Sequence, residues 1–189
     1  MGTRNLTCVY VDGEYRVAQY CQWDGYPSGQ GKTVYNFLKK RSPNKLAKQV
    51  RKNTRLITDD EIDEMNKSVG ATNGWITMDQ SDELKRRYPN MHRDTGAGIL
   101  EMIYNSKTPV AVRNDIEFVE NGLSCEWVYV IDLDDNTLEV YTGIWEGDAV
   151  PAARFRSSGM RGNVQLRAKY PLDKLPTLKK FYHDLGDDE

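Results

Sequence analysis

Two strand–turn–strand patterns, at about 4–22 and 126–144, set the terms for the rest of the chain. In the first, Asp12-Gly13 separates two runs rich in β-branched and aromatic residues. An Asp-Gly pair in that setting is a strong hairpin signal, because both residues tolerate the positive φ that a two-residue turn demands. The expected pairing puts Leu6, Cys8 and Tyr10 on one face with Tyr15 and Val17, and Val9, Val11 and Ala18 on the other. Neither face is polar, which predicts a hairpin placed centrally in a sheet. The second pattern turns about Asp135-Asn136. It predicts a core face of Trp127, Tyr129, Ile131 and Leu133 with Leu138, Val140, Thr142 and Ile144.

Helical spacing fills the interval between the hairpins. Helices are expected at about 33–40 and 43–52, the second capped by Ser42 with Pro43 at its first position. Thr58 and Glu61 form a capping box for a third, with Ile62 and Met65 facing inward. A fourth runs at about 81–87, and a fifth is capped by Thr95 and carries Ile99, Met102 and Ile103 on one face. Short strands are expected at 110–113 and 116–119, and a longer one at 164–170. Pro176 opens a last helix with Leu178, Phe181, Tyr182 and Leu185 in a stripe. The fold class is α+β: an antiparallel sheet built from the two hairpins, a helical segment between them and a C-terminal helix, all in a single domain, 1–189. The acidic tail, 186–189, is expected to fray.

At 189 residues the chain can bury a core without metals or disulfides. Three cysteines, Cys8, Cys21 and Cys125, leave no even set to pair and suggest a reducing compartment. With net charge −2, no global field draws the protein to nucleic acid or to a membrane. No run of 18 apolar residues exists, and Arg4 and Asn5 interrupt anything like a leader. A cytoplasmic location is expected.

The least ordinary stretch is Gln19 to Lys32, QYCQWDGYPSGQGK. Its glycines allow close backbone approach, Pro27 stiffens the path, and Trp23 and Tyr26 offer flat faces. Gly31-Lys32-Thr33 before a helix suggests a phosphate loop, but Tyr26 stands where that motif needs glycine and Pro27 removes an amide donor. A helix N-terminus for an anion remains. Trp23 and Tyr26 would stack on a planar ring, Gln22, Asp24 and Gln30 would hydrogen-bond, and Lys32 would meet phosphate. A second anion clamp is expected in RFRSSGMRGN, through Arg154, Arg156 and Arg161, because no acidic residue lies between Ala149 and Leu172 to neutralise it. The nine basic residues of Lys32 to Arg55 contain no interleaved aromatic pattern and read as solvated helices, so nucleic acid is not an expected partner.

No catalytic set stands out. His92 reads as a surface residue beside a helix cap formed by Asp94 or Thr95. Asp132 and Glu139, facing each other across the second hairpin, read as solvated carboxylates. No His and Cys spacing suits a metal, and no cofactor is expected.

The pieces GTRNLT (Gly2 to Thr7), DGEYRVAQY (Asp12 to Tyr20), QWDGYPSGQG (Gln22 to Gly31), DTGAGIL (Asp94 to Leu100) and EWVYVIDLD (Glu126 to Asp134) together resemble a family of uncharacterised proteins of phages, bacteria and fungi. The resemblance implies no activity and no catalytic residues. The phage setting it implies suits a counter-defence sponge that sequesters a cyclic nucleotide signal. The expected function is therefore binding of a small anionic, nucleotide-like ligand. A hydrolase of a phosphodiester or glycosidic bond in such a ligand, using His92, Asp24 or the Asp132–Glu139 pair, is the alternative. A protein-interaction module anchored by Trp23 and Tyr26 is a third, and homo-oligomerisation stays open.

Overall fold

The computed structural model describes residues 2–72, 75–144, 152–157 and 163–187, with residues 156 and 157 described in their backbone only. The first hairpin joins β1 (Asn5–Val11) to β2 (Glu14–Cys21). Asp12 and Gly13 both have positive φ, 57° and 79°, as the two-residue turn requires. A π-helical turn (Pro27–Gly31) leads into α1 (Lys32–Lys40), which is followed by α2 (Pro43–Asn53) and the short β3 (Thr54–Leu56). Then come α3 (Asp59–Ser68), α4 (Met78–Arg87), α5 (Gly98–Asn105) and β4 (Val110–Val112). A 3₁₀ turn (Ile116–Glu120) precedes the second hairpin, β5 (Trp127–Asp132) and β6 (Thr137–Gly143). The chain closes with α6 (Ala153–Ser157), β7 (Val164–Pro171) and α7 (Leu178–Leu185). None of the described helices is long and apolar enough to cross a membrane.

The main sheet has the order β2-β1-β5-β6-β7. Both hairpins are antiparallel, but they meet through a parallel pair, with Asn5 opposite Trp127 and Tyr10 opposite Asp132. β1 is central, as a strand apolar on both faces should be, while its partner β2 is an edge strand. The register of that hairpin differs from the simple expectation. Arg16 is an extra residue, so Val9 pairs with Val17 while Tyr10 pairs with Tyr15. A bulge exchanges the faces of everything beyond it. Val17 therefore joins Val9 and Val11, and Ala18 joins Leu6 and Cys8. The second hairpin has the expected faces but a wider turn, with Asp132 opposite Thr137 and Glu139 opposite Val130.

One face of the sheet, including Val9, Val17, Tyr129, Ile131, Leu138 and Val140, packs against α1, α2, α5 and α7. Val34, Phe37, Leu46, Ile99, Ile103 and Phe181 fill that layer. The opposite face, with Leu6, Cys8, Val128, Val130 and Tyr141, is covered by Phe155 of α6 and Val119 of the 3₁₀ turn. That turn stands where a strand at 116–119 was expected. All three cysteines are buried and free.

Helix starts follow local chemistry. Ser42 accepts from the Lys45 amide, and Thr58 and Glu61 form their reciprocal capping box. A second capping box, Thr77 with Gln80, starts α4 three residues earlier than the apolar spacing suggests. Thr95 does not cap α5; its hydroxyl donates to the Pro89 carbonyl. Ile62 and Met65 are only half-buried, so α3 contributes no fully buried residue. At the C-terminus, Gly186 takes the left-handed conformation that ends α7 (φ 71°). Asp187, the last described residue, accepts from the Ser28 amide at 2.6 Å through its carboxylate.

Candidate functional site

The loop after β2 is held by its own backbone. Asn5, buried at the start of β1, aims its side-chain amide at the carbonyls of Thr3, Cys21 and Trp23. The Tyr129 hydroxyl donates to the Gly25 carbonyl at 2.7 Å. The amide of Gln30 donates to Asp24, and those of Gly29 and Gly31 to Tyr26. With Ser28 bound to Asp187, the amides of residues 28 to 31 all have partners within the protein. The glycines are explained the same way. A Cβ at Gly25 would lie 2.7 Å from the Thr3 carbonyl oxygen, and one at Gly31 would lie 2.8 Å from the Tyr129 hydroxyl. What the backbone approaches closely is the rest of the fold.

The side chains of that loop divide. Gln30 is committed inward, its oxygen accepting from the Ala97 amide at 2.9 Å just ahead of α5. Gln22 accepts from the Tyr20 hydroxyl at 2.6 Å, and its backbone amide donates to the Arg93 carbonyl. Asp24 sits at a positive φ of 55°. Lys32 is exposed at the start of α1. Trp23 and Tyr26 are 44% and 50% exposed, the indole lying against Gly2.

Arg154 lies elsewhere. The loop leaves the sheet where Asn5 pairs with Cys21, whereas Arg154 binds Asp132, which pairs with Tyr10. Five residues along β1 correspond to roughly 17 Å, so Arg154 and the loop do not share one phosphate. Nor does Arg154 lack neutralising partners, as the local sequence suggests. Its guanidinium bonds both Asp132 and Glu139, the latter at 2.6 Å, and stacks on Tyr10 with 4.8 Å to the ring centroid. Lys169 reaches Glu139 at 2.9 Å and Asp135 at 3.3 Å, and Tyr141 donates to Glu139. Asp132 and Glu139 are thus buried members of an ion network, not solvated carboxylates. Burial alone would raise the Glu139 pKa; the donors Tyr141, Lys169 and Arg154 outweigh it and hold the carboxyl below its ordinary value. Asp132, Asp135 and Glu139 bring oxygens within 4.8 Å of one another, a spacing a cation would accept. Arg154 and Lys169 already supply the countercharge there. The side chain of Arg156 and all of Arg161 lie outside the described residues.

A different cleft stands at the edge of β2. The segment after β4 covers part of that edge: Asp115 donates its amide to the Ala18 carbonyl at 2.9 Å and accepts from the Tyr20 amide at 3.3 Å. Beside this covering lies a cavity of about 540 Å³ lined by Gln19, Tyr20, Arg93, Arg113, Asn114 and Phe118, with Asp115 and Glu117 also on its wall. Tyr20 and Phe118 meet edge to face with centroids 5.1 Å apart. Arg113 is paired with Asp115 at 3.1 Å, whereas Arg93 has no ion-pair partner among the described residues. Gln19 is 1% exposed, yet its side-chain oxygen has no hydrogen-bond partner among the described residues. Thr7, opposite it on β1, has an unpartnered hydroxyl as well. None of the loop residues singled out by sequence lines this cleft; Gln22 bonds two residues that do, through the Tyr20 hydroxyl and the Arg93 carbonyl.

Sequence reading misses the cleft because three separate segments build it: β2, the turn around Arg93 and the stretch from Arg113 to Phe118. The one local signal was Gln19, an amide on a strand whose neighbours are mostly buried.

Comparison with family models, with curated proteins and with solved structures finds no match for this chain.

Proposed function

We propose that the protein binds a small anionic, nucleotide-like ligand in the cleft at the edge of β2 and holds it intact, as a sponge for a cyclic nucleotide signal would. The observation that carries this reading is Gln19, which lines the cleft and whose buried side-chain oxygen has no partner among the described residues. A buried acceptor without a donor costs about 1–3 kcal/mol. A ligand N–H, such as the amine or ring nitrogen of a base, removes that cost on binding. Tyr20 and Phe118 supply aromatic surface for the ring. Arg93 supplies a guanidinium with no ion pair among the described residues, suited to a phosphate. Asp115 and Glu117 equal Arg93 and Arg113 in number, so the cleft has no net positive charge and Arg93 is the group left to meet an anion.

The loop from Gln22 to Gly31 then acts as a support and not as a binding surface: Gln22 bonds the Tyr20 hydroxyl and the Arg93 carbonyl, and the amides of residues 28 to 31 are bonded within the protein. A thermal-shift panel of nucleoside monophosphates and cyclic mono- and dinucleotides tests the proposal. Stabilisation by at least one member is expected, with the ligand recovered unchanged on chromatography after denaturation. No shift across the panel, or recovery of a cleaved product, contradicts it.

A further inference from the structure

A second cavity, of about 340 Å³, shares Met91, Arg93 and Arg113 with the cleft and extends toward α3 and α4. Its walls are largely apolar, formed by Ile62, Met65, Ile76, Leu84 and Tyr88, and it is also lined by Ser81 and His92. Ser81 Oγ, in the first turns of α4, lies 3.1 Å from His92 Nε2. On the other side of the ring, Nδ1 lies 3.5 Å from Asp94 Oδ2 and 3.2 Å from the Asp94 amide nitrogen. The second carboxylate oxygen of Asp94 is buried and has no hydrogen-bond partner among the described residues. His92 itself is only 8% exposed, not the surface residue its sequence context suggests.

We propose that Ser81, His92 and Asp94 form an acyl-transfer site for small carboxylic esters whose acyl group occupies the apolar cavity. A hydroxyl, an imidazole and a carboxylate in that order are the parts needed to activate a serine nucleophile. The ring has two neutral arrangements. With the proton on Nε2 it donates to Ser81 and accepts from the Asp94 amide. With the proton on Nδ1 it donates to the Asp94 carboxylate and presents Nε2 as an acceptor to the serine hydroxyl. The first is the resting form, since the Asp94 amide donates to Nδ1; the second is the reactive form, and the Asp94 carboxylate, 3.5 Å from Nδ1, is the positioning group that selects it when the ring turns to it. Burial lowers the His92 pKa, with Lys85 and Arg93 reinforcing and Asp94 and Asp82 opposing. The ring is therefore uncharged at neutral pH, and its 3.5 Å approach to Asp94 is not an ion pair there.

In the first step Ser81 Oγ bonds to the ester carbonyl carbon and its proton moves to His92 Nε2. The bond from that carbon to the alcohol oxygen then breaks, and the alcohol leaves with the proton. Water repeats the sequence on the acyl-serine, releasing the acid and restoring the hydroxyl. The proposal does not rest on the proposed ligand, since it uses none of the aromatic or amide groups of the neighbouring cleft, although the two cavities share Met91, Arg93 and Arg113.

The test treats the full-length protein with a fluorophosphonate probe and, separately, with p-nitrophenyl butyrate. One adduct is expected, mapped to Ser81 by peptide mass spectrometry. Ester turnover is expected to fall by at least about a hundredfold in Ser81→Ala and to rise with pH as His92 loses its proton. Asp94→Asn is expected to shift that pH profile, which a purely structural role would not do. No adduct on the wild-type protein, an adduct at another residue, wild-type turnover in Ser81→Ala, or an unchanged profile in Asp94→Asn overturns the proposal. Labelling of the wild-type protein decides the matter even where a variant fails to fold.

Discussion

Arg154 illustrates how much one residue's meaning depends on its partners. Its side chain is 15% exposed, and its guanidinium bonds two carboxylates that are themselves buried. Removing one member of such a network leaves uncompensated charge in the interior. Arg154→Ala should therefore cost about 3–5 kcal/mol, read as a lower urea midpoint. Lys169→Ala, at a half-exposed position in the same network, should cost no more than about 1 kcal/mol. Gln19 makes the opposite prediction. Its unpartnered oxygen is a liability in the free protein, so Gln19→Leu should leave the unliganded protein as stable or more stable while weakening ligand binding. A stability loss above about 2 kcal/mol would mean that the oxygen has a protein partner. His92 sets a pH dependence. Near its ordinary pKa of 6.5 the unfolded chain takes up a proton that the buried ring resists. Stability should fall as the pH drops below that value, and level off once the lower folded pKa is passed. Glu139 adds a loss at more acid pH. Its contribution is complete above the ordinary 4.5 and disappears as the pH falls through its depressed folded value. Urea midpoints from pH 7 down to about 3 should show both phases, and His92→Gln should remove the first.

At the scale of elements, the loop between β2 and α1 is a braced corner. Gly25→Ala drives a methyl toward the Thr3 carbonyl, and Gly31→Ala toward the Tyr129 hydroxyl. Each should cost about 1–3 kcal/mol by overpacking. Gly98→Ala, at the open start of α5 with nothing within 4 Å of its Cβ position, should be neutral or stabilise by up to about 1 kcal/mol. Equal losses at all three glycines in chemical denaturation would contradict this. Turns and caps of this kind were legible in the sequence, because Asp12-Gly13, Ser42 and Thr58 with Glu61 each act over a few residues. The bulge at Arg16 was not. Nothing local distinguishes a chain that pairs Tyr10 with Tyr15 and continues in register from one that skips a residue, yet the skip moves Val17 and Ala18 to opposite faces. The stretch at 116–119 has strand-like composition, but it caps the second face of the sheet as a 3₁₀ turn.

At the scale of the molecule, the α+β class followed from the order of the patterns, while the parallel joint between β1 and β5 is a tertiary choice that no hairpin signal contains. That joint separates groups the sequence places in one list. It carries Arg154 to the Asp132 end of the sheet and leaves Trp23 and Tyr26 at the other. It also leaves β2 as an edge, and the cleft forms where that edge is only partly covered by the segment after β4. The residues of this cleft come from positions 19–20, 93 and 113–118, a grouping visible only in three dimensions. The proposed function places the ligand in this cleft and not on the exposed faces of Trp23 and Tyr26. Calorimetric titration with the tightest-binding nucleotide of the panel tests it most directly, comparing wild type with Arg93→Ala, Gln19→Leu and Trp23→Ala. Loss of the arginine or of the glutamine oxygen should weaken binding by at least about tenfold, with Trp23→Ala close to wild type. Full affinity in Arg93→Ala and Gln19→Leu, with binding lost in Trp23→Ala, would contradict the account.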